Sequence, residues 1–423
     1  MQSTLSTVPK EIASRLGVSD TIYMIFSRKN MPPAVNEAKN NILRIELPYH
    51  NLKNENTDAG GNPDTNWVIF WGANFKDLPD IDNEEFIKRT NLCLDFVRRE
   101  CSGYHLIYKL HPAETDEYKM VNLDGFEIVG TDNVGEFYLL QNIKNIKYTF
   151  SALSAACISA HKLGIPSFVF IPLFESMLRP DTVDGYREYF SPLPRQALIS
   201  DYNSRLVDYK ITPVVDGIFE NNFKNKIGSG SGKIFFIAET PGVLSEIISL
   251  VNLVKSIFPE RKVGLLVCRH HRWDIMNFED LRPYFDSIDI FTRTFYSLRP
   301  AKLIMALRVA KLIKQFDIES GDVLIGTSFT SFVEDCFMSY YKRNKKILFL
   351  NKVSFDSICG PKRKEMLAKI NYKNTWGALF YNFIFEPLLG LHRTIYMDDP
   401  GRVMNFRMYQ RPLNDIYDQV YLF

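Results

Sequence analysis

A repeated alternation of short apolar segments with longer amphipathic segments limits the folds open to this chain more than any other feature. In the first half, the apolar segments predict strands at 67–72, 105–110, 126–130, 146–150 and 166–171. Between them lie segments of helical period, for example 84–100, with apolar residues three and four positions apart. Strands that alternate with helices predict a parallel sheet covered by helices on both faces.

A polar seam at 222–232, rich in glycine, serine and lysine, interrupts the alternation and predicts a linker. Beyond it the alternation restarts, with predicted strands at 233–239, 262–268, 289–293, 322–328 and 346–351. A chain of 423 residues has room for two such units. The sequence therefore predicts an α/β fold of two Rossmann-like domains, over 1–228 and 229–423, with a ligand site in the cleft between them.

Charge and cysteine usage exclude several classes of protein. The net charge of +2 is too balanced for a dedicated nucleic-acid binder. The halves differ, since residues 1–230 carry a net charge of −5 and residues 231–423 one of +7, so the second half favours an anionic partner. The six cysteines form no CxxC pair, which favours reduced thiols over a disulfide framework.

The same sequence predicts a cytoplasmic protein. The amino-terminal segment has no apolar signal core, and no uncharged apolar stretch reaches the roughly 18 residues that a membrane-spanning helix needs. The apolar, aromatic segment 376–391 could bind peripherally at the inner membrane face or form buried core. We favour buried core, because the segment has too few basic residues for a membrane-surface helix.

The motif YKLHPAE places chemistry at the end of a predicted strand. Lys109 and His111 lie at the carboxyl end of the strand 105–110, and Pro112 follows them directly and ends it. Ligands of open α/β sheets bind outside the carboxyl ends of the strands. An imidazole there could donate a hydrogen bond to a phosphate oxygen. The alternative is a strand-end histidine that a loop carbonyl satisfies.

A second motif, TFSALSAAC, follows the strand 146–150. Ser151 and Ser154 begin a predicted helix, 151–164, and a helix start offers free N–H groups to an anion. Simple capping of the helix by either serine is the alternative. Gly72, at the end of the first predicted strand of this unit, completes the predicted nucleotide site.

Together these motifs resemble the nucleotide-binding half of bacterial GT-B sialyltransferases and polysialyltransferases, over residues 67–172. In those families an HP motif and a Ser/Thr motif contact the CMP of the donor. The segment 233–254, which opens KIFFIAETPGVL, is similar to the start of their acceptor-side domain, which there comes first in the chain. The resemblance therefore implies a GT-B-like fold in permuted or fused order. Teichoic-acid polymerases that use CDP-polyols carry a similar HP element and serine pair.

The resemblance also implies a reaction and a missing group. The implied reaction is metal-independent, needs no cofactor, and transfers sialic acid or a related ulosonic acid from a CMP-sugar donor to a surface glycan acceptor. Those enzymes use the carboxylate of a D/E-D/E-G motif as the base, and this chain has no such tripeptide. The candidate bases are Glu239, the last residue of the predicted strand 233–239, and Asp356, which follows the predicted strand 346–351. We rank Asp356 slightly higher.

Each candidate base has a simpler interpretation. Glu239 could be an acid in the first turn of a helix, and Asp356 a turn residue. Two other functions therefore stay open: a CDP-polyol phosphotransferase or another nucleotide-sugar transferase, and a glycan- or nucleotide-binding protein without a working base. The sequence does not determine the oligomeric state.

Overall fold

The computed structural model describes residues 35–45, 47, 66–73, 81–111, 114, 117–131, 134–211, 217–238, 241–268, 273, 277–291, 313, 316–327, 334, 337, 338, 340–350, 355, 394–398, 405–409 and 413–423. Its strands are β1 (Ile42–Arg44), β2 (Trp67–Trp71), β3 (His105–Lys109), β4 (Glu127–Val129), β5 (Ile146–Ser151), β6 (Ser167–Val169), β7 (Ile234–Ala238), β8 (Val263–Cys268), β9 (Ser287–Phe291), β10 (Val323–Gly326), β11 (Lys345–Leu350), β12 (Thr394–Asp398), β13 (Asn405–Tyr409) and β14 (Gln419–Leu422). Its α-helices are α1 (Asn83–Glu100), α2 (Gly135–Asn142), α3 (Ala156–Lys162), α4 (Ile171–Phe174), α5 (Pro180–Tyr189), α6 (Gly217–Ile227), α7 (Leu244–Ile257) and α8 (Leu413–Ile416). Within these ranges, no helix is long and apolar enough to cross a membrane.

The first sheet has five parallel strands in the order β4-β3-β2-β5-β6. The chain starts at the central strand β2, builds outward to β4, and returns to β5 and β6 on the other side, which is the Rossmann order. Val68, Ile69 and Phe70 are consecutive and all buried. Such a strand needs cover on both faces, which explains why its sequence is continuously apolar rather than alternating. The predicted α/β fold with a parallel sheet is confirmed.

Helix α1 shows how the sequence fixes the layer that covers this sheet. The side chain of Asp82 accepts hydrogen bonds from two backbone N–H groups of the first turn, which would otherwise lack partners. Arg98 and Arg99 in the last turn complement the negative end of the helix dipole. The buried face includes Phe86, whose ring centre lies 5.0 Å from that of Phe174 in α4. The helix thus carries the chain from the carboxyl edge of the sheet back to the amino edge.

The second sheet has seven parallel strands, and its order from one edge is β9-β8-β7-β10-β11-β14-β1. Strands β7 to β11 and β14 repeat the Rossmann pattern, since the chain runs from β7 out to β9 on one side and then crosses to β10 on the other side of β7. Two strands, β12 and β13, pair separately as an antiparallel ribbon. The prediction of two Rossmann-like units is therefore confirmed, and both units have a point at which strand order reverses.

Strand β1 differs from the expectation that residues 1–228 form the first domain, because it pairs with β14 in the second sheet. The segment before it is held there by asparagines. The backbone N–H of Asn36 donates to Oδ1 of Asn414 (2.7 Å), and Nδ2 of Asn414 donates to the carbonyl of Asn36 (2.8 Å). Nδ2 of Asn41 donates to the carbonyl of Asn414 (2.9 Å). The second sheet is therefore assembled from both ends of the described chain.

The segment 222–232, which the sequence predicts to be a linker, is helical in its first half, where it forms the end of α6. The rings of Phe219 and Phe223 lie 5.2 and 5.9 Å from the ring of Tyr421 in β14. They also contact Phe349 in β11, at 6.2 and 5.7 Å. Burial of these four rings holds α6 on one face of the second sheet. The polar residues of the first half of the seam therefore belong to a packed helix, and residues 228–232 connect it to β7.

The two sheets share one apolar core. A single cluster of buried side chains includes Phe150 of the first sheet and Phe236 of the second. Helices α2 and α7, one from each unit, pack against each other. The ammonium of Lys162 in α3 lies 5.2 Å from the ring centre of Phe423 at the end of the chain. The units are therefore packed together rather than separated by an extended linker.

Candidate functional site

The carboxyl edge of the first sheet brings three of the predicted strand ends together. Strands β3 and β5 lie on either side of β2, and Trp71, the last residue of β2, is the register partner of both Lys109 and Ser151. The backbone N–H of Gly72 donates to the carbonyl of Lys109 (2.9 Å). Gly72, Ser151 and the loop that carries His111 therefore meet at the point where strand order reverses, between β2 and β5.

A tight turn fixes the loop after β3. The backbone N–H of Glu114 donates to the carbonyl of His111 (2.8 Å), and the backbone N–H of His111 donates to Oε2 of Glu114 (3.0 Å). The other carboxylate oxygen accepts from the hydroxyl of Tyr108 (3.0 Å). Burial of this hydroxyl raises the pKa of Tyr108, and the charge of Glu114 raises it further. His111 itself is only partly buried.

Glu114 is an additional residue of this edge that sequence reasoning missed. Only 3% of Glu114 is exposed. Its carboxylate fills the space that a side chain at Gly72 would occupy, and a Cβ there would also lie 3.1 Å from the hydroxyl of Tyr108 and 3.2 Å from the nitrogen of His111. A glycine that ends a strand beside a histidine turn is a signal that could have indicated such a close approach.

Lys109 takes a different position from the one expected of a phosphate ligand. Only 2% of it is exposed. Its ammonium donates to the carbonyls of Gly130, after β4, and Leu110, and lies 5.9 Å from the ring centre of Tyr138. A buried ammonium requires such carbonyl partners. In this geometry Lys109 joins the ends of β3 and β4.

The helix that follows β5 begins later in the chain than the sequence predicts. Ser151 is still part of β5 and fully buried, and α3 starts at Ala156 instead of residue 151. The hydroxyl of Ser151 accepts from the backbone N–H of Ser154 (3.1 Å), and that of Ser154 accepts from the N–H of Ala156 (3.3 Å). Pairing with β2 and β6 keeps Ser151 extended, which explains the shift. The partly exposed Ser154 therefore stands nearer the helix start than Ser151.

The indole of Trp71 closes the base of this edge. A Cβ at Gly135, the first residue of α2, would lie 3.3 Å from Trp71 and 3.4 Å from Cβ of Ala156. Only glycine therefore lets the starts of α2 and α3 approach Trp71 so closely without displacement. The indole nitrogen is buried and has no hydrogen-bond partner among the described residues. The starts of α2 and α3, which follow β4 and β5, therefore meet at Trp71.

Tyr189 marks where this edge approaches the second unit. Partial desolvation and the carboxylates of Glu136 and Glu246 raise the pKa of Tyr189, which is 39% exposed. Glu136 lies in the first turn of α2 and Glu246 in the first turn of α7. Because α7 follows β7, its first turn stands at the carboxyl edge of the second sheet. The helices that leave the two carboxyl edges, α2 and α7, pack against each other.

Three predicted site residues, Pro112, Glu239 and Asp356, lie outside the described residues. Glu239 directly follows Ala238, the last residue of β7. Among the residues that the structure does describe, no group of three or more His, Cys, Asp or Glu side chains is placed to hold a metal ion.

No protein-family model and no curated protein matches the chain. Among solved structures, the UDP-GlcNAc 2-epimerase from Neisseria meningitidis bound to UDP-GlcNAc is similar at 10% identity and a TM-score of 0.20, over 67% of this chain and 82% of that one. GsuK bound to ADP is similar at 12% identity and a TM-score of 0.19, over 82% and 72%. The wall teichoic acid polymerase TagF with CDPG is similar at 13% identity and a TM-score of 0.18, over 73% and 75%. TM-scores this low carry no argument, and the Rossmann assignment rests on the two strand orders.

Proposed function

We propose that this chain is a GT-B-type glycosyltransferase that transfers sialic acid or a related ulosonic acid from a CMP-activated donor to a surface glycan. One observation carries the proposal: Gly72, His111 and Ser151 converge at the strand-order reversal of the first sheet. Nucleotides bind such reversal points outside the carboxyl ends of the strands. The sequence resemblance over residues 67–172 supports CMP as the nucleotide.

The donor phosphate would lie between the histidine turn and the serine loop. The His111 imidazole can donate one hydrogen bond, and so can the hydroxyl of Ser154, whose oxygen already accepts from the N–H of Ala156. Pro112 restricts the backbone of the turn next to His111. Lys109, with its ammonium on backbone carbonyls, would support the site by joining β3 to β4.

In the proposed reaction, an oxygen of the acceptor hydroxyl attacks the anomeric carbon of the donor sugar. The bond from that carbon to the phosphate oxygen breaks, and CMP leaves with the electron pair. A carboxylate takes the acceptor proton, and His111 stabilises the charge that develops on the leaving phosphate. The chemistry needs no cofactor and no metal ion from the protein.

The base is proposed to be Asp356 or Glu239. Glu239 directly follows β7, which borders the strand-order reversal of the second sheet, and α7, which begins five residues later, packs against α2 of the first unit. Asp356→Asn and Glu239→Gln decide between them: the base variant should lose transfer by at least about 10²-fold while keeping CMP affinity. If both variants keep normal transfer activity, neither residue is the base.

The second unit is proposed to bind the acceptor. Its half of the sequence carries the net charge of +7, which suits an acidic glycan. We propose a cytoplasmic enzyme that meets its acceptor at the inner membrane face and binds no nucleic acid. Strand β1 and helix α6 pack on this unit, so the donor unit is the chain between them.

The same edge would suit the cytidine diphosphate of a CDP-polyol, or hold a nucleotide without turnover. Calorimetric titration with CMP, CDP, UDP and GDP, followed by an assay of CMP-sialic acid hydrolysis, separates these functions. The transferase proposal expects cytidine nucleotides to bind most tightly and the donor to be hydrolysed. Binding without hydrolysis would indicate a binding protein, tighter binding of CDP-glycerol a phosphotransferase, and no cytidine binding would contradict the proposal.

A further inference from the structure

The carboxylate of Glu114 is buried at the candidate site and accepts hydrogen bonds from two neighbouring residues. It lies three residues after His111 and closes a turn through two hydrogen bonds to that residue, one from its own N–H and one to its carboxylate. Proline is favoured at the second position of such a turn, and Pro112 stands there in the sequence. The turn therefore has a sequence that suits it and a side chain that locks it.

One further hydrogen bond and the space beside a glycine accommodate the carboxylate. Oε1 accepts from the hydroxyl of Tyr108, at the buried end of β3 (3.0 Å). The absence of a side chain at Gly72 provides the space for Oε2. A carboxylate that is 3% exposed is unfavourable unless hydrogen bonds compensate its lost hydration. The carboxylate thereby links the turn of His111 to the buried hydroxyl of Tyr108.

We propose that Glu114 is a positioning residue, which acts on the nucleotide through His111 and does not touch the nucleotide itself. This inference rests on the proposed function. Its carboxylate sets the backbone of His111, and the backbone sets where the imidazole stands beyond the strand end. Small displacements of a positioned group lower its effect steeply, so loss of the turn should weaken nucleotide binding.

Comparison of Glu114→Ala with Glu114→Gln tests this role. In Glu114→Gln the amide oxygen can accept from His111 while the amide nitrogen donates to the oxygen of Tyr108, so the turn should persist. Glu114→Ala removes both contacts. We expect Glu114→Ala to weaken CMP binding by about tenfold or more and Glu114→Gln by less than about threefold. Equal losses in the two variants would assign the effect to the charge and overturn the positioning role.

Combination with His111→Ala provides a second test. If Glu114 acts through His111, Glu114→Ala should weaken CMP binding little further in a His111→Ala background. Additive losses would overturn the inference. Glu100→Ala is the matched control, because Glu100 is also a buried carboxylate that accepts from a backbone N–H, that of Leu206 (3.0 Å), at the opposite edge of the sheet. It should leave CMP affinity unchanged.

Hydrogen exchange at the amide of His111 tests the turn without any nucleotide. Pro112 has no amide proton, which simplifies the reading of a short peptide across the turn. We expect faster exchange in Glu114→Ala and near-native exchange in Glu114→Gln and Glu100→Ala. Unchanged exchange in Glu114→Ala would overturn the inference. If the native protein does not bind CMP, the proposed function fails, and exchange alone then decides the inference. Should Glu114→Ala not fold, Glu114→Asp replaces it, because the shorter side chain cannot reach both donors.

Discussion

The carboxyl edges of the two sheets share one feature, a buried glutamate packed beside a glycine, but the surroundings of this glutamate differ. In the first sheet, the carboxylate of Glu114 occupies the space beside Gly72, at the end of β2. In the second sheet, the carboxylate of Glu334 occupies the space beside Gly326, at the end of β10. Both glutamates are buried, at 3% and 1% exposure. Each glycine admits a buried acid where the strand order reverses.

The surroundings of the two acids differ. Glu114 contacts a histidine turn that extends beyond the edge. At the second edge, the hydroxyl of Thr327 donates to the carbonyl of Ile237 (3.1 Å), which links β10 to β7 across the reversal point. At the first edge, the corresponding hydroxyl, that of Ser151, bonds to its own loop. Among the described contacts, the hydroxyl at the first reversal point therefore holds its own loop, whereas the hydroxyl at the second links two strands.

The largest expected effect is on the free energy of unfolding, for variants in the apolar core that the two units share. Phe150→Ala, in β5, and Phe349→Ala, in β11, each remove a buried ring and should lower stability by about 3–5 kcal/mol. Because one apolar cluster contains both rings, we expect both variants to shift a single unfolding transition. Denaturant unfolding followed by circular dichroism measures this. Two transitions, each moved by only one variant, would show that the units unfold independently.

The second prediction concerns turnover at the first edge. His111→Ala should lower donor turnover by about 10²-fold or more with the fold retained, because stabilisation of the leaving phosphate is lost. His105→Ala is the control, since His105 lies at the amino edge of the same strand, paired with Glu127 (2.7 Å). Steady-state kinetics and melting temperatures of both variants decide it. Normal turnover in His111→Ala would reduce His111 to a structural residue.

The parallel sheets could be predicted from the sequence because strands buried on both faces are continuously apolar and here alternate with helices. The clustering of Gly72, His111 and Ser151 followed from them, since carboxyl ends of parallel strands share an edge. Contacts between distant segments could not be predicted. No local pattern pairs residues 42–44 with 420–422, and nothing in the composition places Glu114 beside Gly72.

Helix α6 is a different case, because its signal was present and outweighed. Phe219, Phe223 and Ile227 are four residues apart and all buried, which is the spacing of one helix face. The lysines, asparagines and glycines around them gave the segment the composition of a linker. Periodicity was therefore the better guide than composition at this position.

A third prediction compares the stability and the CMP affinity of Gly72→Ala and Gly326→Ala. A methyl group at either position would collide with a buried carboxylate, and overpacking of this kind destabilises by about 1–3 kcal/mol. Gly72→Ala should also weaken CMP binding, because the displaced acid holds the turn of His111. Gly326→Ala should lower the melting temperature without a direct effect on CMP. Calorimetric titration beside thermal unfolding measures both, and equal loss of CMP affinity in the two variants would contradict the assignment of the nucleotide to the first edge.

The smallest expected effect is a pH dependence that reports on the first unit. Burial raises the pKa of the Cys101 thiol from 9.0 to about 12, with a contribution from Glu100, and burial raises that of Cys157 to about 12 as well. The folded state therefore favours the neutral thiols, and this stabilisation is complete below pH 9 and is lost as the pH rises from 9 towards 12. At pH 8 a thiol with a pKa of 12 is ionised to about one part in ten thousand, so alkylation requires opening of the unit.

Alkylation of Cys101 and Cys157 along an alkaline titration, mapped by mass spectrometry, measures this opening. If the shared core makes the units cooperative, alkylation should coincide with the loss of the circular dichroism signal. Alkylation well before that loss would show that the first unit opens on its own, and rapid alkylation at pH 8 would show that the thiols are not buried.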